Sequence, residues 1–210
     1  TQKKDITPTE TPVVVPDSVR ISTVPDPLTD CITKEVNAYR IVRDSELFPG
    51  ALANSSIGDL AIQNDQIRFA ITTPPSQEIN VDNANSGNKL IDIVHLKSVP
   101  SPDYIESYSM VPDLESTETL FVWKDYVVNN NPKFASSIVM KGNLGRYLGG
   151  DEYTSLTLKV EDGVNVVTSW SLHACSNVVM LTTKITNNTS DPVSLLPGDV
   201  FRPGELTTFV

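Results

Sequence analysis

The stretch of residues 153–200 constrains the fold more than any other part of the sequence. It is a series of short segments rich in β-branched residues, and Gly, Pro, Asn or Asp stands between one segment and the next. Such runs between turn-forming residues are typical of β-strands. We therefore predict a β-meander here, with turns at residues 161–163 and 188–192 and a last strand at residues 193–200.

A hairpin pattern precedes this stretch. Apolar residues alternate with polar ones on both sides of Asn64-Asp65, which predicts two strands joined by a tight turn. No stretch of twelve or more residues has a clean helical period. Short strands with a turn about every ten residues indicate an all-β fold, either a sandwich or a barrel.

Further strands are expected between these two regions. The glycine-rich residues 142–150 are expected to form turns or a mobile connection. The predicted strands are residues 36–42, 89–96, 104–110, 120–128 and 135–141.

The first thirty residues differ from the rest of the chain. Threonine and proline dominate residues 1–30, which predicts an extended arm or linker before a folded body at residues 31–210. The apolar residues 13–15, with Val19 and Ile21, leave a second interpretation open, in which the arm adds to a sheet as an edge strand. Because the chain starts at Thr1 and stops without a recognisable end signal, we expect a processed or excised piece of a longer protein.

The charge of the chain excludes two classes of partner. Sixteen Lys and Arg against 26 Asp and Glu give a formal net charge of −10. Nucleic acids and anionic membrane surfaces both require a basic face, so neither is expected as a partner. No apolar run reaches the roughly 18 residues of a membrane span, so membrane insertion is not expected.

The two cysteines, Cys31 and Cys175, allow two interpretations. In an oxidising compartment they pair and tie the start of the body to the meander, and otherwise they are two free buried thiols. No CxxC motif is present, which argues against a zinc site.

Three motifs together resemble one kind of module. They are the hairpin segment 58–71, the strand start 87–92 (GNKLID), and the pair formed by residues 181–188 and 198–200. In this order they are similar to the mutarotase-like β-supersandwich found near the N-terminus of large secreted bacterial proteins. The resemblance implies an antiparallel two-sheet sandwich at an exported location, secreted or on the cell surface.

The resemblance does not extend to catalysis. Sugar mutarotases use a histidine acid and a glutamate base, whereas His95 and His173 of this chain lie outside the matching sugar-enzyme motif. A His173–Cys175 dyad is disfavoured by its backbone spacing. We therefore predict no enzymatic activity and no catalytic residue.

Aromatic and acidic side chains supply the candidate binding residues. Aromatic side chains stack on sugar rings, although within strands they more often pack in a core. Asp82, Asn83 and Asn85 begin like a calcium loop but depart from the EF-hand pattern, so the alternatives are a looser calcium site or an Asx-rich turn. No cofactor other than calcium is indicated by the sequence. The sugar-binding candidates are Tyr147, Trp123, Tyr126 and Tyr153, and the glycosylation acceptor patterns are at Asn54, Asn187 and Asn188.

Two functions follow from the sequence. The first is a non-enzymatic, exported structural or binding module of a larger surface protein or assembly, with protein subunits as partners and homo-oligomers formed through edge strands or the arm. The alternative is a carbohydrate-binding or accessory domain of a carbohydrate-active enzyme, with surface glycans as partners.

Overall fold

Ten antiparallel strands form two sheets in a computed structural model of the chain, which describes residues 34–49, 53–80, 84, 87–97, 105–116, 118–149 and 157–203. The one helical turn among these residues is a 3-10 turn at Asp44–Glu46. The strands are β1 (Asn37–Arg40), β2 (Leu60–Gln63), β3 (Ile67–Ile71), β4 (Leu90–His95), β5 (Ile105–Val111), β6 (Thr119–Asn129), β7 (Ala135–Leu148), β8 (Thr157–His173), β9 (Met180–Asn187) and β10 (Gly198–Pro203).

The two sheets are open and face each other. The six-stranded sheet has the order β1-β2-β3-β4-β5-β10, and the four-stranded sheet has the order β6-β7-β8-β9. Across the core, β1 contacts β6 and β7, whereas β2 contacts β7 and β8. Strand β5, near the other side of the six-stranded sheet, also contacts β6. The predicted all-β, antiparallel two-sheet sandwich is confirmed.

The main core lies between the sheets. Phe69 and Ile71 of β3 meet Met140 of β7 and Trp170 and Leu172 of β8, all nearly or fully buried. At about 25 cal/mol per Å² of buried apolar surface, these large side chains supply the main driving force for sheet stacking. The alternation predicted for the 57–71 hairpin places Leu60, Ile62, Ile67, Phe69 and Ile71 in this cluster.

Loops cover part of the outer face of each sheet. On the six-stranded sheet, Ile41 and Phe48 pack on Ala61, Ala70 and Ile91. On the four-stranded sheet, Ala84 packs on Leu120 and Val122. The sandwich therefore has small apolar clusters outside its central core.

The predicted turn at residues 161–163 is wrong, because β8 continues through it. On the β7 side, Asn143 pairs with Asn165 but Leu144 pairs with Glu161, so the register shifts inside a continuous strand. The Asn143 side chain donates to the carbonyls of Asp162 and Val164, both at 3.3 Å. The turn-forming residues thus serve a β-bulge instead of a hairpin.

Two neighbouring predictions need the same kind of correction. The glycine-rich residues up to 148 belong to β7 and are neither turn nor connection. The predicted meander ends at β9, because the following strand is residues 198–203, not 193–200, and pairs with β5 in the other sheet.

Residues 1–30 lie outside the described residues, and the arm remains a prediction. Among the residues that the structure describes, no helix is long and apolar enough to cross a membrane.

Candidate functional site

The turn of the β2–β3 hairpin joins the two sheets. Asn64 is 4% exposed, and its Oδ1 accepts hydrogen bonds from the backbone N–H groups of Gln66 (2.8 Å) and Ile67 (2.9 Å). Its Nδ2 donates to the carbonyls of His173 (2.9 Å) and Ser176 (2.6 Å) beyond the end of β8. One side chain therefore closes the turn and anchors it to the four-stranded sheet.

The GNKLID segment contributes a second link between the sheets. Gly87 and Asn88 both have positive φ, at 89° and 54°. A Cβ at Gly87 would lie 2.9 Å from the Pro74 Cα, so the close backbone approach requires glycine. The buried Asn88 Oδ1 accepts a hydrogen bond from Trp170 Nε1 at 2.5 Å. The segment thus positions the main core tryptophan.

Asp92 and Asp59 organise the loop before β2. Asp92 is fully buried, and its carboxylate accepts the backbone N–H groups of Asn54 (2.8 Å) and Ser55 (2.7 Å). Asp59 accepts the N–H of Ser56 at 2.9 Å. Burial raises the pKa of Asp59, the two backbone hydrogen bonds that it accepts oppose this effect, and the nearby Asp92 charge adds to it.

Asp59→Asn should flatten the dependence of stability on pH. Because the folded-state pKa of Asp59 is raised, the native state binds the proton more tightly, and Asp59 costs stability as pH rises from its ordinary value of 3.8 through the raised value. Denaturant titrations at neutral pH and at about pH 4 measure this. We expect the variant to gain stability relative to wild type at the higher pH. If the stability difference between variant and wild type were the same at both pH values, the raised pKa of Asp59 would be contradicted.

Arg68 completes this framework. Its guanidinium lies 4.2 Å from the centre of the Phe48 ring and 6.0 Å from that of Tyr39, and it donates to the Glu46 carbonyl. The residues that carry the family resemblance are thus engaged in turns, caps and packing. Their arrangement supports the fold.

A cavity of about 420 Å³ lies beneath the crossover that leads from β5 to β6. We call it the crossover cavity. Its walls come from both sheets and from the crossover itself. Its lining includes Lys89, Ser107, Ser109, Asp113, Glu115 and Arg202.

Two cations lie at the wall formed by the six-stranded sheet. Lys89 is half-buried, and its pKa is lowered by burial and by the neighbouring Arg202 charge. The ion pairs among the described residues include neither Lys89 nor Arg202. Both residues line the cavity, and neither has a carboxylate partner in the described part of the chain.

The predicted sugar-binding aromatics are dispersed. Tyr147 and Trp123 both line the crossover cavity, but Trp123 is only 4% exposed and packs against Phe121 at 5.8 Å between ring centres. Tyr126 is half-buried against the main core. Tyr153 lies outside the described residues. The structure therefore brings two of the four aromatic candidates to one cavity.

Neither histidine lines the crossover cavity. The His173 ring packs edge-on against Phe134 at 4.7 Å, and His95 is exposed at the end of β4. The calcium candidates Asp82, Asn83 and Asn85 lie outside the described residues. Among the residues that are described, no group of three His, Cys, Asp or Glu is placed to hold a metal ion.

The remaining predicted sites lie at the surface or near the end of β8. Cys175 is not a free thiol. Cys31 lies outside the described residues, so its pairing with Cys175 stays a prediction. Asn54, Asn187 and Asn188 are exposed, and the Asn187 amide donates to the Asp191 carbonyl at 2.8 Å. Their glycosylation stays a prediction.

Strand β1 is an edge strand whose outer side meets the β6–β7 turn. The N–H of Val36 donates to the Pro132 carbonyl at 2.9 Å, and its carbonyl accepts the Ser136 hydroxyl at 3.0 Å. The Asn130 side chain forms hydrogen bonds with the N–H and the carbonyl of Ala38, at 2.7 and 2.8 Å. The β6–β7 turn therefore closes this edge.

Strands β6 and β10 carry other protective features. The register of β6 shifts between Trp123 and Asp125, and that of β10 shifts between Arg202 and Pro203. Both strands also contain charged residues. Bulges, prolines and charges at a sheet edge are the features that discourage pairing with another chain.

Strand β9 lacks these features. All eight of its residues, Met180–Asn187, pair with β8 without a register shift, and they include one charged residue, Lys184, and no proline. Among the described residues, β8 is its only strand partner. The opposite side of β9 is therefore a regular edge with the backbone groups that a further strand requires.

Sequence reasoning missed both the cation pair and the free edge. Lys89 lies inside the GNKLID motif, which predicted only fold, and Arg202 is over one hundred residues away. The free edge depends on β10 joining the other sheet. The low charge of residues 180–187 was its one sequence signal.

Comparisons with protein-family models, with curated proteins and with solved structures find no match to the chain. The resemblance to mutarotase-like modules therefore stays a prediction that depends on the motifs alone.

Proposed function

We propose that the chain is a non-enzymatic, exported structural module that joins copies of itself by strand addition along β9. The observation that carries this proposal is the contrast among the four terminal strands. The β1 edge is closed by side chains and a turn, and β6 and β10 have shifted registers, whereas β9 is regular and has one charged residue. Addition of an extended segment to such an edge is a common mode of peptide recognition.

An exposed aromatic residue on β10 supports assembly of the chain with copies of itself. Phe201 of β10 lies directly opposite Tyr108 of β5, whose ring contacts Trp170 in the core at 6.0 Å. Opposite residues in an antiparallel pair point to the same face of a sheet. Phe201 therefore faces the side of the four-stranded sheet, yet it is 48% exposed. A second copy that covers this ring would bury apolar surface and stabilise a multimer.

The inner face of β9 is also incompletely covered. Leu181 and Ile185 pack on the main core but stay partly exposed, whereas Val166 and Trp170 of the neighbouring β8 are almost fully buried. Val193 and Leu195, from the connection to β10, give partial cover. Apolar burial would therefore add to the backbone hydrogen bonds gained by a docked segment.

The proposed occupant is the arm, residues 1–30, of a second copy. Its apolar residues 13–15, 19 and 21 are separated by polar residues and proline, and its composition favours an extended chain. An oxidising, exported location is supported by Cys175, which is not a free thiol, because disulfides persist mainly outside the cytosol.

Light scattering over a range of concentrations tests this assembly. We expect the full chain, whose monomer mass is 22.9 kDa, to form multimers. The chain lacking residues 1–30 should be a monomer of lower mass. Phe201→Ser should weaken the multimer. Val127→Ser is the matched control, because Val127 is a comparably exposed apolar residue (38%) on β6, at the opposite edge of the four-stranded sheet.

Hydrogen exchange at β9 distinguishes the alternatives. In the multimer, amides on the free side of β9 should be protected, and deletion of residues 1–30 should remove that protection. A monomer whose β9 amides exchange equally fast with and without the arm would contradict the proposal. A monomer with arm-dependent protection would show that the arm folds back on its own copy.

A further inference from the structure

We infer that the crossover cavity binds a small hydroxylated carboxylate, whose carboxylate group is held by Lys89 and Arg202 and whose hydroxyls meet the polar wall of the cavity. This inference is independent of the β9 edge. It assigns a ligand class to a site that includes two of the aromatic residues considered for sugar binding.

The two cations lack a carboxylate partner among the described residues. Acidic residues outnumber basic ones by 26 to 16, and five other lysines form ion pairs with carboxylates. Lys89 is half-buried beside Arg202 and forms no such pair among the described residues. Two like charges held together at a cavity wall repel each other, and a bound anion would relieve that repulsion.

The backbone fixes the position of both cations. The Lys89 N–H donates to Thr72 Oγ1 at 3.0 Å, and the Lys89 carbonyl accepts the Thr72 N–H at 2.9 Å. Arg202 lies in β10, directly opposite Ser107 of β5. Sites built on strands hold their groups more accurately than sites built on loops. The guanidinium adds a planar set of donors that matches a carboxylate.

The other wall determines the rest of the ligand. The crossover contributes Asp113 and Glu115 to the lining, and the Asp113 carboxylate accepts the Glu115 N–H at 3.0 Å. Carboxylates accept hydrogen bonds from hydroxyls but repel a simple anion. Ser107 and Ser109 add hydroxyls to the lining. A ligand with one carboxylate and several hydroxyls satisfies both walls, whereas inorganic phosphate or acetate satisfies only one.

The size of the cavity agrees with this class. Its volume of about 420 Å³ lies at the lower end of the range of roughly 300–1,000 Å³ for small-molecule sites. A single ring bearing one carboxylate and several hydroxyls, such as glucuronate, is a suitable probe.

Calorimetry or ligand-observed NMR with the full chain tests the assignment. We expect glucuronate to bind saturably, and glucose, which has the hydroxyls without the carboxylate, to bind at least tenfold more weakly. Acetate and inorganic phosphate should also bind at least tenfold more weakly than glucuronate. Two results would overturn the assignment. One is the absence of glucuronate binding. The other is binding of phosphate or acetate as tight as that of glucuronate, because the hydroxyl-accepting wall would then be unused.

Variants locate the binding at the two cations. Arg202→Gln and Lys89→Gln should each reduce glucuronate affinity at least tenfold. Lys184→Gln is the matched control, because Lys184 is exposed on β9 and does not line the cavity. Arg202 is exposed, so its replacement should leave the thermal midpoint close to that of wild type even if Lys89→Gln destabilises the fold. Unchanged affinity in a folded Arg202→Gln variant would overturn the assignment.

Discussion

Alanine in place of Asn64 should lower the free energy of unfolding by about 3–5 kcal/mol, because each buried polar group left without a partner costs about 1–3 kcal/mol. The side chain makes four hydrogen bonds, two within the β2–β3 turn and two to carbonyls beyond the end of β8. The truncation would leave two backbone N–H groups and two carbonyls short of partners at a site that is 4% exposed. Chemical denaturation measures the change.

The neighbouring turn residue supplies the control. Asp65 forms ion pairs with Lys34 (3.4 Å) and Lys97 (3.1 Å) in the same turn, and its side chain is 40% exposed. Because exposed ion pairs contribute about 0–1 kcal/mol, Asp65→Ala should cost no more than about 1 kcal/mol. Equal losses for the Asn64 and Asp65 variants would show that the links to the carbonyls of His173 and Ser176 contribute little.

The hairpin shows what the sequence predicts well. Alternation around Asn64-Asp65 is a local pattern, and burial of one face of each strand makes it visible in the sequence. The hydrogen bonds from Asn64 to residues over one hundred positions away have no local pattern. The role of Asn64 in holding the sheets together therefore required the structure.

Turn-forming residues gave the wrong interpretation in the four-stranded sheet. Glu161-Asp162-Gly163 has the composition of a turn, but the same residues fit a bulge in a long strand when a side chain such as that of Asn143 satisfies the exposed carbonyls. Local composition does not distinguish a chain that reverses from one that bulges. The residue that contacts this segment in the folded protein determines whether the chain reverses or bulges.

The crossover cavity was beyond sequence reasoning for a related reason. Lys89 and Arg202 meet only because β10 crosses to the six-stranded sheet and pairs with β5. The sequence predicted continuation of the meander, which would have placed β10 beside β9. A wrong strand partner therefore concealed both the cation pair and the free β9 edge.

Alanine in place of Gly142 should destabilise the protein by about 3 kcal/mol, at the upper end of the usual cost of overpacking. Gly142 lies inside β7, opposite Trp123, at the position where the β6 register shifts. A Cβ there would overlap the Val122 carbonyl oxygen and lie 3.0 Å from its carbon and 3.1 Å from the Trp123 Cα. These atoms belong to the backbone of a neighbouring strand, so they cannot move aside as a flexible side chain would.

Gly149→Ala is the matched control for this substitution. Gly149 lies in the same glycine-rich segment, just after β7, and a Cβ built on it meets no atom within 4 Å. Its replacement should change stability by no more than about 0.5 kcal/mol, as is usual at the surface. Thermal unfolding of the two variants shows whether the lack of space at position 142 causes the destabilisation. If β7 requires a glycine at position 142 for close packing, only Gly142→Ala lowers the midpoint. Equal and small changes would mean that β6 and β7 separate here more easily than their pairing indicates.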